Sequence, residues 1–137
     1  MTSQKGYVII WMSNERTTKK QNGGKTLDKR QLRRIIANGG ATLNADGDEV
    51  TFANGFQVSK RDCYIIAVER VNLICKKTNA LLRSLNKGEF VGLWIDDGKI
   101  YIDISIRIRK QEKAERIGRG LKQLAIYDWS ADACITL

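Results

Sequence analysis

Residues Lys99–Arg109, Lys-Ile-Tyr-Ile-Asp-Ile-Ser-Ile-Arg-Ile-Arg, decide the fold of this chain. Ile100, Ile102, Ile104, Ile106 and Ile108 occupy every second position. Side chains alternate across a β-strand, so one face is an unbroken isoleucine wall. The other face carries Lys99, Tyr101, Asp103, Ser105, Arg107 and Arg109. Such alternation belongs to a half-buried strand of an antiparallel sheet.

The residues just upstream complete a hairpin. Glu89–Ile95 is a second apolar run, and Asp97-Gly98 is a favoured two-residue turn. That turn pairs Ile95 with Ile100, Leu93 with Ile102 and Val91 with Ile104 on the inner face. Trp94 then falls opposite Tyr101 on the outer face, beside the pair Asp96 and Lys99.

Three helical patterns can cover the isoleucine wall. Thr26 is placed to cap a helix over 27–38, with Leu32, Ile35 and Ile36 as its inward stripe and Gly39-Gly40 as its stop. Val71, Ile74, Cys75, Thr78, Leu81, Leu82 and Leu85 keep helical spacing for four turns and make the main core helix. A third helix over about 110–122 turns Ala114, Ile117, Gly118 and Leu121 inward, where Gly118 implies close approach to the sheet.

The remaining segments read as strands and loops. Gly6–Met12 is a short apolar strand, and Ser13–Lys25 a basic loop longer than most connections. Ala41–Ala45 and Glu49–Phe52 flank the turn Asp46-Gly47-Asp48. A three-residue loop Ala53-Asn54-Gly55 would pair Phe52 with Phe56 and Val50 with Val58. Cys63–Val68 favours a strand by its β-branched content, although Ser59-x-x-Asp62 also resembles a helix-starting capping box. Leu124–Trp129 and Ala133–Leu137 close the chain as two strands. Residues 1–137 thus form a single α+β domain, a mostly antiparallel sheet with about three helices packed on one face.

Composition narrows the function classes. Histidine is absent, which removes the usual general base near neutral pH and the commonest metal ligand. Cys63, Cys75 and Cys134 form no CxxC pair, so buried thiols in a reducing compartment are expected. No apolar run approaches the roughly 20 residues of a membrane span. A cytoplasmic, non-enzymatic protein without cofactor or metal, and with no membrane partner, is the expectation.

Motifs with chemical meaning fall short on spacing. Gly23-Gly24-Lys25-Thr26 lacks a P-loop's first glycine, since Lys19 stands there. Asp46-Gly47-Asp48-Glu49 lacks the alternating oxygen ligands of a calcium loop and reads as a turn. Asp96, Asp97 and Asp103 with Glu89 would make a nuclease metal site only if the strand periodicity did not separate them.

The charge does carry information. The chain holds 24 Lys and Arg against 15 Asp and Glu, a net charge of +9. Residues 16–34 contain eight basic residues and the single acid Asp28, and residues 107–122 contain seven basic and two acidic. Basic segments set against acidic turns point to a polyanion partner. The candidate contacts are Lys19, Lys20 and Lys25 on the loop, Arg30, Arg33 and Arg34 on the first helix, and Trp94, Tyr101, Arg107 and Arg109 on the hairpin. Cations can hold phosphates, and the aromatics can stack on unpaired bases. A solvated basic surface and a second core layer are the competing readings.

The stretches GYVIIWMSNERTT, NGGATLNADGDEVTFANGFQVSK, FVGLWIDDGKIYIDIS and LKQLAIYDW together resemble, in style, small phage and prophage proteins of no assigned activity. The resemblance implies a mobile-element origin and carries over no residue-level role. Such proteins are often nucleic-acid binders or inhibitors of host defence, including anti-CRISPR proteins. The partner expected is therefore DNA, RNA or a nucleoprotein complex, with a bacterial defence protein as the alternative.

Overall fold

The computed structural model describes residues 26–137. The expected strand at Gly6–Met12 and loop at Ser13–Lys25, with Lys19, Lys20 and Lys25, lie outside the described residues. Within them the elements run α1 (Lys29–Asn38), β1 (Gly40–Leu43), β2 (Glu49–Val50), β3 (Phe56–Ala67), α2 (Val71–Ser84), β4 (Glu89–Asp96), β5 (Lys99–Ile108), α3 (Gln111–Gly120), β6 (Ala125–Asp128) and β7 (Ala133–Thr136). The strands form one sheet in the order β2-β1-β4-β5-β3-β6-β7, and every neighbouring pair is antiparallel. The α+β reading of the sequence holds.

β5 occupies the centre. Its register against β4 is the expected one, with Ile95 opposite Ile100, Leu93 opposite Ile102, Val91 opposite Ile104 and Trp94 opposite Tyr101. Ile100, Ile102 and Ile104 are buried beneath α1 and α2 in one apolar cluster with Leu32, Ile35, Ile74 and Leu82. Ile106 and Ile108 continue the same face into a second cluster beneath α3, with Val58, Ala114 and Ile126. All three helices therefore lie on the isoleucine side. Gly118 lets α3 sit down on the sheet, because a Cβ there would come within 3.1 Å of Ile126 Cγ2 and 2.7 Å of Leu137 Cδ1.

Several local expectations are corrected. Asp28, not Thr26, caps α1, its carboxylate accepting the Gln31 amide at 2.7 Å. Gly39 ends that helix in the left-handed conformation, as the sequence implies. β2 and β3 do not form a hairpin: β2 pairs only with β1, whereas β3 pairs with β5 and β6. Phe52 leaves the sheet and packs edge-on against Phe90 and Trp129, which draws residues 51–55 over the outer face. Residues 59–67 are strand, and Ser59 Oγ donates to Asp62 Oδ1 within it instead of capping a helix. Leu121 is exposed, since α3 stops before it, and Cys134 is exposed rather than buried.

One polar contact lies near the boundary of the two clusters. β3 carries two irregularities, between Ser59 and Arg61 and between Asp62 and Tyr64. A bulge adds a residue and re-aims its side chain. Lys60 is the extra residue at the first, and its Nζ reaches over β5 to Glu89 Oε2 at 2.5 Å. Glu89 is nearly buried, and its other oxygen accepts the Asn86 amide at 2.8 Å. Glu89 stands opposite Ile106 of the second cluster, two residues along β4 from Val91, which faces Ile104 of the first.

Removing the buried member should cost more than removing the exposed one. Glu89→Ala is expected to destabilise the fold by about 2–3 kcal/mol, the worth of hydrogen bonds to a charged group. Lys60→Ala should cost about 1–2 kcal/mol, because it leaves the nearly buried Glu89 carboxylate with the Asn86 amide alone. Urea unfolding of both variants checks the order.

Candidate nucleic-acid interface

The helical layer carries the charge. α1 and α2 together contain seven basic residues and no acidic one, namely Lys29, Arg30, Arg33, Arg34, Lys76, Lys77 and Arg83. They are neighbours: Asn79 on α2 accepts the Leu27 amide at 2.7 Å and donates to the Leu27 carbonyl at 3.1 Å, fixing the start of α1. Asn72, Lys76, Asn79 and Arg83 fall on one stripe of α2 by helical spacing, so Lys76 and Arg83 flank that junction. On the α1 side stand Lys29 and Arg33, one turn apart. Burial pushes the Cys75 thiol pKa up and Asp28 adds to this, while Lys29 and Arg33 act against it, which places these groups around the same seam. Among the described residues no carboxylate lies within ion-pair distance of Lys29, Arg33, Lys76 or Arg83.

The other side of α1 is partly neutralised. Arg34 donates to Glu49 Oε2 at 2.6 Å, and Gln31 shares that oxygen at 3.2 Å. Arg30 and Arg34 line a shallow recess with Asp28, Gln31, Asp48 and Glu49. Arg30 remains exposed on its rim.

The outer face of the sheet has two ends of different character. At one, Arg107 is a structural residue: its guanidinium lies 4.5 Å from the Phe52 ring centre and donates to the Asn54 carbonyl and side chain at 2.7–3.1 Å. Gly55 lies beneath it, where a Cβ would come within 2.7 Å of Arg107 Nε. Gln57 joins this layer, donating to Ser105 Oγ at 2.6 Å and accepting the Trp129 indole N–H at 3.0 Å. At the other end Trp94 is 52% exposed, with its ring 5.7 Å from that of Tyr101. Arg109 is exposed just past the end of β5.

The candidate residues thus do not form one site. Arg30 and Arg33 belong to the helical layer, Trp94 and Tyr101 to the opposite face of the sheet, and Arg107 holds a turn. Lys29, Lys76 and Arg83 join the basic layer beyond the candidates that sequence reasoning offers. The acid-free composition of 71–84 is a signal for the last two, but their approach to α1 is a tertiary fact.

No protein-family model, curated protein or solved structure matches this chain. Among the described residues no three His, Cys, Asp or Glu side chains gather to hold a metal ion.

Asp103 is the most perturbed acid of the outer face. It stands between Gly92 on β4 and Asp62 on β3; Ser59 and the Gly92 backbone hydrogen-bond its carboxyl, yet its buried Oδ1 has no hydrogen-bond partner among the described residues. Burial foremost, with Asp62 contributing, pushes its pKa up from 3.8 to about 7. The folded protein therefore holds this proton more tightly than the unfolded chain, a contribution to stability complete below about pH 4 and lost as pH rises through about 7. Asp103→Asn should gain on the native protein by about 1–3 kcal/mol between pH 5 and pH 8. Urea unfolding across that range checks it; parallel pH profiles would contradict the assignment.

Proposed function

We propose that this protein is a non-enzymatic binder of nucleic acid, or of the nucleic acid within a nucleoprotein complex, and that it docks through the α1–α2 surface. The observation that carries the reading is the acid-free pair of adjacent helices with four cations around their junction. Polyanion binding is dominated by phosphate contacts and release of counterions, which a cluster of exposed lysines and arginines supports. Such contacts position the protein without reading sequence. Lys29, Arg33, Lys76 and Arg83 are the principal contacts, with Arg30 at the margin. A cytoplasmic, phage or prophage setting fits the resemblance noted in the sequence, with a host nucleoprotein as the target.

The test is fluorescence anisotropy with single- and double-stranded DNA and RNA across a salt series. The double variant Arg33→Glu/Lys76→Glu should bind at least tenfold more weakly at roughly 100 mM salt, uniformly across sequences. The slope of log K against log salt should shrink by about 1 for each phosphate that the variant no longer neutralises. Absence of binding by the native protein at low salt, or equal binding by the variant, would overturn the proposal.

A further inference from the structure

The open end of the outer face has the opposite electrostatic character to the helical layer. Cross-strand register lines up Gly40 on β1, Trp94 on β4, Tyr101 on β5 and Ile65 on β3 in one row. Ile65 is 63% exposed and Trp94 52% exposed, large values for residues that usually bury. Gly40 lets β1 lie close beside Trp94, because a Cβ at 40 would run into the Leu93 carbonyl oxygen and come within 3.1 Å of Trp94 Cβ. Four strands at about 4.8 Å spacing make the row about 14 Å long.

Acids border it. Asp62 and Asp103 occupy the next row on one side, Asp96 the next row on the other, and Asp97 the adjoining turn. Lys99 is the one cation that β3, β4 and β5 place on this part of the face. An acid-bordered apolar row on a protein of net charge +9 is poorly suited to phosphate, which rules against continuing the nucleic-acid track here. It suits cationic side chains, which gain from Asp62 and Asp96 and from the faces of Trp94 and Tyr101.

We infer that this row is a second interaction surface, one that docks a segment of a partner protein in which lysines or arginines surround an apolar anchor. The anchor lies on Trp94, Tyr101 and Ile65, and the cations meet Asp62 and Asp96. The helical layer faces the other way, so the protein can hold a polyanion and a basic protein segment at once. This surface stands independently of the nucleic-acid reading.

The probe is a fluorescein-labelled ten-residue peptide alternating lysine with leucine and tryptophan, set against the same peptide with glutamate for lysine. Against the full chain, the lysine peptide should bind at least tenfold more tightly than the glutamate peptide. Its amide-shift footprint should centre on Ile65, Trp94 and Tyr101. Trp94→Ala and, separately, Ile65→Ser, an exposed position that does not threaten folding, should each weaken binding at least fivefold. Arg33→Glu/Lys76→Glu should leave it unchanged, which separates this surface from the nucleic-acid one. No binding, equal binding of both peptides, a footprint elsewhere, or protection of the row only through self-association of the chain would overturn the inference.

Discussion

The alternation of isoleucine along β5 is the constraint from which the rest follows. With every inward position of the central strand branched and apolar, only one side of the sheet can be covered by helices at a gain. All three helices accept that side, and the other side keeps Tyr101, Asp103, Ser105 and Arg107. A register slip of one residue would exchange the faces completely, so the hairpin turn at Asp97-Gly98 and the inner apolar partners of β4 fix the register together. The Lys60–Glu89 pair stands near the boundary of the two clusters, through a bulge that aims a lysine across the neighbouring strand.

The same segregation sorts the charges. A helix packed on a sheet turns only its outward half to solvent, so the cations of α1 and α2 emerge on a common surface instead of being spread around the molecule. Acids are absent from those two helices, while Asp62, Asp96 and Asp103 stand on the outer face of the sheet. The result is a protein whose two sides differ in sign and in chemistry. One side offers cations that no carboxylate among the described residues pairs, and the other an apolar row edged by carboxylates, so each is suited to a different class of partner.

Local pattern made the elements legible, and distant contacts did not show through it. Period-two spacing located β5 and its partners on β4, and period 3.6 located α2, because burial on one face imposes those periods directly. Gly118 was readable as a close approach because a helical glycine needs a packing reason. The Phe52–Phe56 hairpin failed because the loop's local propensity was sound but Phe52 had better partners in Phe90 and Trp129, far away in sequence. The candidate site divided for the same reason. Arg107 looked like a free cation on a polar face, yet its guanidinium is committed to Phe52 and Asn54, and only the folded chain shows which arginines are already occupied.

The proposed polyanion binding belongs to the helical side and not to the sheet's outer face. Hydrogen exchange of the native protein, with and without a short DNA or RNA that it binds, tests this directly. Slowed exchange confined to α1, α2 and the Leu27–Asn79 junction is the predicted result. Protection centred on Trp94 and Tyr101, with α1 and α2 unchanged, would contradict the account.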